Sequence, residues 1–210
     1  MRKSLVIFAA LLSGPATAQE MVVAALGDSL TQGYGLPAED GFVPQMQAWL
    51  NAQGVDARLI NAGVSGDTTA GGLSRVAWTL TDDVDAMIVT LGGNDVLRGI
   101  DPQVSRQNIE GILQAAQASD VDVLLVGMQA PGNFGPAYKR DFDAIYPELS
   151  QAYGVMHAES FFEGLGVSGD PASAQVYMQP DGIHPNAEGV RRIVAALGPD
   201  VMALIGAVEK

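Results

Sequence analysis

Short apolar runs alternate with helix-like stretches along most of the 210-residue chain. The apolar runs are rich in valine, leucine and isoleucine on both faces, and they predict five strands, at 22–26, 57–62, 86–91, 121–127 and 155–157. Apolar residues at helical spacing predict helices at 41–52, 69–80, about 101–119, 141–153 and 185–207, the last interrupted near Gly198 and Pro199. Strands that alternate with helices predict a five-stranded parallel sheet covered on both sides, a three-layer α/β/α sandwich.

Glycine-rich segments follow the first three predicted strands. The segments cover 27–29 (Gly-Asp-Ser), 63–68 and 92–95 (Gly-Gly-Asn-Asp). Because the carboxyl ends of parallel strands meet at one edge, where the sites of such sheets lie, we expect the three segments to lie close together. Ser29, at the end of the first strand, is a candidate nucleophile, although a serine in this position is also a common cap or turn residue.

Two histidines are candidates for the base that a serine nucleophile needs. His184 follows Asp181 by three residues, before a predicted helix, so the carboxylate can reach the imidazole and stabilise its charged form, as in a triad. The same pattern fits an ordinary turn that leads into a helix, with Asp181 as a turn residue. His157 closes a short apolar strand without a neighbouring acid, which favours a packed or capping histidine.

An acyl-transfer site also needs hydrogen-bond donors for the oxyanion. Gly66 can bring a backbone N–H close because it has no side chain, and Asn94 can offer a side-chain N–H. Glycine and asparagine are also common in tight turns after strands, so this alternative stays open for both residues.

The composition of the chain argues against several classes of binding partner and of functional site. The chain has 24 acidic and 11 basic residues and a net charge of −13, which argues against nucleic acid and against an anionic membrane surface. There are no cysteines and only two, distant histidines, so disulfides and thiol catalysis are excluded and a zinc site is disfavoured. Asp28, Asp67 and Asp95 each lie beside a candidate residue, and we interpret them as loop caps rather than as glycosidase carboxylates.

Residues 1–18 differ from the rest of the chain. Two basic residues precede an apolar run at 5–12, and a Ser-Gly-Pro break leads to an Ala-Thr-Ala motif that ends at Ala18. This layout is typical of a secretory signal peptide cleaved after Ala18, and the run is too short to span a bilayer. The alternative is a buried first helix. We therefore predict a single domain over 19–210, periplasmic or secreted, without stable membrane insertion.

Four blocks of the chain together resemble the SGNH hydrolases, also called the GDSL esterase/lipase family. The blocks are 27–30 (Gly-Asp-Ser-Leu), 63–68, 92–95 and 181–186 (Asp-Gly-Ile-His-Pro-Asn), and the residues that name the family fall on Ser29, Gly66, Asn94 and His184. The resemblance implies a flavodoxin-like fold and hydrolysis of small-molecule acyl esters and thioesters without a cofactor or metal. It covers essentially the whole of the predicted mature chain.

Within the family, the chain is most similar to the small bacterial periplasmic thioesterase, lysophospholipase and arylesterase group. The supporting stretches are 92–99, 144–147 and 128–138. The resemblance implies that 128–138 is a mobile substrate-binding loop. Residues 164–179 match the group poorly, so its acyl-chain preference is not carried over.

The resemblance also implies a mechanism. Ser29 attacks the acyl carbonyl and forms an acyl-enzyme, His184 acts as the base, and Asp181 orients His184. The backbone N–H groups of Ser29 and Gly66, with the Asn94 side chain, hold the oxyanion.

Substrate contacts and two rival functions stay open at this point. Residues that could line an acyl groove, but that fit a core equally well, are Leu30, Met128, Phe134 and Tyr138. One rival function is a carbohydrate acetylesterase that acts on acetylated polysaccharide with the same triad. The other is a binding protein of the cell envelope that kept the fold without catalysis.

Overall fold

The computed structural model describes residues 20–166 and 174–208. Within this part, five strands form one parallel sheet in the order β2-β1-β3-β4-β5. They are β1 Met21–Gly27, β2 Ala57–Gly63, β3 Ala86–Thr90, β4 Asp122–Val126 and β5 Met156–Ala158. The predicted strands are confirmed to within one residue at every end, and the strand order is that of a flavodoxin-like sheet. The predicted signal segment, 1–18, lies outside the described residues.

Helices cover both faces of the sheet. They are α1 Ser29–Gln32, α2 Phe42–Ala52, α3 Thr69–Thr79, α4 Gly93–Leu97, α5 Pro102–Ala118, α6 Pro136–Asp143, α7 Ile145–Tyr153 and α8 Ala187–Val208. The pair α2 and α8 packs on one face, and α3, α5 and α7 pack on the other. The three-layer α/β/α sandwich is therefore confirmed.

The helix predicted at 141–153 is two helices in the structure. The first, α6, begins at Pro136 and ends at Asp143, and α7 begins at Ile145. Pro147 is the third residue of α7, where a missing N–H costs no intrahelical hydrogen bond. Proline therefore lies in the first turn of a new helix rather than inside a longer one.

The last helix is continuous, so the predicted interruption near Gly198 and Pro199 is wrong. Pro199 removes one backbone donor, but α8 runs through it to Val208. Leu197 and Val201, on either side of the proline, are both buried against the sheet layer. Because this buried stripe keeps helical spacing, packing outweighs the local cost of proline.

The central strand β1 sets the position of the loops that follow the sheet. Its residues after Met21 are all buried, and so is the whole of β3. In the register of the sheet, Gly27 at the end of β1 lies level with Gly63 of β2 and Thr90 of β3. The chain leaves β1 toward β2 on one side and later returns to β3 on the other, so the three glycine-rich loops meet at a topological switch point.

Two glycines of α8 provide a matched test of the packing between α8 and α2. A Cβ on Gly198 would lie 2.7 Å from three atoms of the Trp49 ring, whereas a Cβ on Gly206 would meet nothing within 4 Å. We expect Gly198→Ala to lower the free energy of unfolding by about 1–2 kcal/mol because of overpacking. The same change at Gly206 should raise it by roughly 0.5–1 kcal/mol through helix propensity.

Urea unfolding followed by circular dichroism measures both changes. Equal effects of the two substitutions would contradict the tight contact between Gly198 and Trp49.

Candidate active site

Ser29 is the first residue of α1, directly beyond the end of β1. Asp28 caps this short helix, and its side chain accepts a hydrogen bond from the Leu30 N–H at 3.0 Å. A Cβ on Gly63 would collide with the main chain of Gln32, so glycine at the end of β2 lets α1 lie against the sheet edge. Ser29 itself is only 7% exposed. The predicted turn from strand to serine is therefore the capped and buried start of a helix.

Asp181 closes the turn that carries His184. One of its oxygens, Oδ1, accepts the backbone N–H groups of Ile183 at 2.9 Å and His184 at 3.0 Å. The other, Oδ2, is hydrogen-bonded to His184 Nδ1 at 2.7 Å. The hydrogen bond from the His184 side chain, followed by the two backbone hydrogen bonds, lowers the pKa of Asp181 to about 2. The carboxylate is therefore ionised at neutral pH and fixes both the turn and the imidazole.

The structure brings His184 and Ser29 together across 155 positions of sequence. His184 Nε2 lies 2.9 Å from Ser29 Oγ, in a hydrogen bond that is partly shielded from solvent. In a neutral imidazole whose Nδ1 donates to Asp181, Nε2 is the acceptor for the serine hydroxyl. The three residues thus form one continuous chain of hydrogen bonds, in the arrangement that allows a serine to lose its proton to a histidine.

Asn94 reaches the same edge from α4 and is held there by Asp28. Its Nδ2 donates to Asp28 Oδ2 at 3.1 Å. Burial raises the pKa of Asp28 to about 6, an effect that its hydrogen bonds with Leu30 and Asn94 only partly offset. Asp28 thus connects the serine loop with the asparagine loop, which agrees with its interpretation as a loop cap.

Asp95 fixes the loop that carries Asn94. It is fully buried and accepts hydrogen bonds from the Thr69 backbone N–H at 2.8 Å, the Thr69 hydroxyl at 2.6 Å and the Ser105 hydroxyl at 2.9 Å. A buried carboxylate needs such partners, because an unpaired charge in the interior is strongly destabilising. Asp95 therefore joins the start of α4 to α3 and α5.

Gly66 lies in the loop after β2, the strand next to β1. Its φ of +83° is in the left-handed region, which favours glycine. Its carbonyl oxygen accepts a hydrogen bond from Arg98 Nη2 at 2.8 Å, which ties this loop to the end of α4. Among the described residues, no acceptor is hydrogen-bonded to the Gly66 N–H.

Arg75 is a residue of this edge that the sequence did not reveal. From α3, its guanidinium donates to the Gly27 carbonyl at 2.8 Å, to the Ala62 carbonyl at 2.7 Å and to Asp67 Oδ2 at 2.6 Å. It therefore clamps the ends of β1 and β2 and the loop that carries Gly66. No local motif marks an arginine whose partners are mostly carbonyls from distant strands.

The candidate substrate-binding residues fall into two environments. Leu30 and Met128 are buried in the hydrophobic core. Phe134 is exposed, with its ring 5.1 Å from that of Tyr138, whose hydroxyl donates to the Ile100 carbonyl at 2.9 Å. Contact of these four residues with a substrate stays a prediction.

His157 lies away from Ser29, in β5, which β3 and β4 separate from β1. Burial lowers the pKa of His157, and its Nε2 is buried without a hydrogen-bond partner among the described residues. These features are those of a packed histidine. In the part of the chain that the structure describes, no three acidic or histidine side chains are grouped so that they could hold a metal ion.

Comparison with known proteins identifies the family. The sequence model of the GDSL-like lipase/acylhydrolase family matches residues 25–192. The chain belongs to this family. It is 37% identical over 196 residues to esterase TesA of Pseudomonas aeruginosa, an alignment that covers 93% of this chain and 94% of the relative.

Two further similarities lie within the same family. The chain is 35% identical over 184 residues to "Thioesterase 1/protease 1/lysophospholipase L1" of Escherichia coli strain K12, which covers 87% of this chain and 83% of that protein. The crystal structure of AlinE4, an SGNH-hydrolase family esterase, superimposes with a TM-score of 0.72 at 40% identity and covers 90% of this chain and 98% of that one. The resemblance to SGNH hydrolases is therefore confirmed.

The buried carboxyl of Asp28 should make stability depend on pH. Its pKa is about 6 in the folded protein against an ordinary 3.8. Because the pKa of Asp28 is raised in the folded protein, protonated Asp28 adds to the free energy of unfolding. This contribution is complete below pH 3.8 and is lost as pH rises through 6. From these values we expect the ionisation of Asp28 to cost about 2 kcal/mol between pH 4 and 7.

Asp28→Asn removes this titration. The free energy of unfolding of the variant, minus that of the wild type, should rise by the same amount over that pH range in urea titrations. A difference that stays constant with pH would contradict the raised pKa.

Proposed function

We propose that this chain is a serine hydrolase that cleaves carboxylic esters and thioesters through an acyl-enzyme on Ser29. The observation that carries the proposal is the chain of hydrogen bonds from Asp181 through His184 to Ser29, with lengths of 2.7 and 2.9 Å. Membership of the GDSL-like lipase/acylhydrolase family supports it. So do relatives that are named esterase, arylesterase and thioesterase.

The first proposed step is acylation. Ser29 Oγ attacks the acyl carbonyl carbon while His184 Nε2 accepts the hydroxyl proton. The imidazolium that forms keeps its Nδ1–H on Asp181, and the ionised carboxylate stabilises this positive charge. The tetrahedral intermediate then collapses, the bond between the acyl carbon and the leaving oxygen or sulfur breaks, and Nε2 returns its proton to the leaving group.

The oxyanion of the intermediate needs donors that already face it. We assign this task to the backbone N–H groups of Ser29 and Gly66 and to the Asn94 side chain. The amide of Asn94 has two N–H bonds, of which one is donated to Asp28, so the other remains for the substrate. The left-handed turn at Gly66 and the hydrogen bond from Arg98 keep that loop in one conformation.

Deacylation repeats the same proton transfers with water as the nucleophile. His184 Nε2 takes a proton from the water that attacks the acyl-enzyme, and it returns the proton to Ser29 Oγ as the acid leaves. Every proton transfer in this cycle is between His184 and either Ser29, the leaving group or water.

The surface around the site favours an acyl chain over a sugar. Several segments that follow the strands present large apolar side chains to solvent, namely Val64, Leu97, Phe134 and Ile183. Apolar side chains at the rim of a site gain free energy by covering an acyl chain, and they offer little to the hydroxyls of a polysaccharide. The acyl ester or thioester is therefore the substrate class that we propose.

We also propose that the protein is exported. The basic start, the apolar run and the Ala-Thr-Ala motif of residues 1–18 support a signal peptide cleaved after Ala18. The match to the family begins only at residue 25, beyond this segment. None of the helices in the described ranges, 20–166 and 174–208, is long and apolar enough to cross a membrane.

The direct test is the hydrolysis of p-nitrophenyl esters by Ser29→Ala. Because the hydroxyl is the proposed nucleophile, turnover should fall to the background rate, and a fluorophosphonate probe should no longer label the protein. Ser74→Ala, a change at an exposed serine on α3, should leave both readouts unchanged. Wild-type activity in a folded Ser29→Ala protein would overturn the assignment.

A second test concerns the substrate class. We expect kcat/KM to be higher for medium-chain acyl thioesters and aryl esters than for an acetylated sugar, because acyl groups bury apolar area at roughly 25 cal/mol per Å². The measurement is a panel of rates over acyl length and leaving group. A preference for the acetylated sugar would instead support a carbohydrate acetylesterase.

A further inference from the structure

Gln179 links the segment that carries His184 to the segment that follows Ser29. Its side-chain Nε2 donates to the Pro185 carbonyl at 3.0 Å and to the Tyr34 carbonyl at 2.8 Å. Its backbone N–H donates to the His184 carbonyl at 2.7 Å. Gln179 therefore binds the carbonyls of His184 and Pro185 on the histidine side and the carbonyl of Tyr34 on the serine side.

Tyr34 completes the connection on the serine side. Its backbone N–H donates to the Ser29 carbonyl at 3.1 Å. Its ring lies against the His184 imidazole, with 4.7 Å between the ring centroids and 38° between the planes. A Cβ on Gly35 would collide with the Gln179 side chain, so the two segments pack as closely as glycine allows.

These contacts form a closed circuit. It runs from Ser29 to Tyr34, from Tyr34 to Gln179, from Gln179 to His184, and from His184 Nε2 back to Ser29 Oγ. During catalysis the last link must open and re-form, because its proton moves. The other links take no part in proton transfer and can keep the two residues aligned throughout.

We propose that Gln179 and Tyr34 are positioning residues that hold the imidazole of His184 against Ser29. This inference rests on the proposed serine hydrolase function, because it assigns these residues a task within the same site. Gln179 acts through the backbone, at the carbonyls of His184 and Pro185. Tyr34 acts through its ring, which covers one side of the imidazole and limits its rotation away from the serine.

Substitutions at both positions separate positioning from substrate binding. Gln179→Glu keeps the shape but, when ionised, replaces the donor with an acceptor that faces two carbonyls. Tyr34→Leu removes the ring, whereas Tyr34→Phe keeps it. Gln179→Met removes the donor without adding charge. The control is Gln117→Glu, the same charge change at an exposed site on α5.

We expect Gln179→Glu, Gln179→Met and Tyr34→Leu each to lower kcat by about ten- to a hundredfold, because misplaced catalytic groups lose rate steeply. KM for p-nitrophenyl esters should stay within about twofold, since the ground-state contacts are unchanged. Labelling of Ser29 by a fluorophosphonate should slow by the same factor as kcat. Tyr34→Phe and Gln117→Glu should keep wild-type values.

Two outcomes would overturn the inference. One is wild-type kcat in folded Gln179→Met or Tyr34→Leu protein, and the other is a loss confined to KM, which would make Tyr34 a substrate contact. Failure of the proposed function gives a different result, since wild-type protein would then neither turn over esters nor react with the probe. If Gln179→Glu does not fold by circular dichroism, Gln179→Met decides the question at that position.

Discussion

The hydrogen bond between His184 Nε2 and Ser29 Oγ is the contact on which the rest of the site depends. It joins the end of the first strand to the segment before the last helix, 155 positions apart in sequence. For such a bond of 2.9 Å to persist, the fold must hold both segments in place. On the serine side, β1 is the buried second strand of the sheet, and α1 is capped by Asp28. On the histidine side, α8 packs on the sheet beside α2 along its buried stripe.

Charged side chains hold the loops between these two anchors. Arg75 gathers the carboxyl ends of β1 and β2, and Asp95 ties α4 to α3 and α5. Both are well supplied with hydrogen-bond partners, which is the condition for placing a charge inside a protein. The apolar layers therefore determine where the sheet edge lies, and the charged side chains determine the conformation of the loops at that edge.

The sequence predicted the features that follow from local pattern. The strands are periodic apolar runs, and Asp181 and His184 lie three residues apart, so both could be recognised without a structure. Arg75 and Gln179 could not, because they act through hydrogen bonds to the carbonyls of distant segments. Every residue has a backbone carbonyl, so the sequence does not show which carbonyl accepts the hydrogen bond. The continuity of α8 was missed for a related reason, since the packing that overrides Pro199 comes from other elements.

Asp181 and Asp28 are both carboxylates of this site, but their different environments give them different pKa values. Asp181 is 37% exposed and accepts three hydrogen bonds, and its pKa of about 2 keeps it ionised at any pH near neutrality. Asp28 is almost fully buried, and burial raises its pKa to about 6, so it takes up a proton at a far higher pH than Asp181 does. The firm negative charge of Asp181 beside the imidazolium stabilises it. Asp28 instead serves as a hydrogen-bond acceptor that joins the turn before Leu30 to the Asn94 side chain.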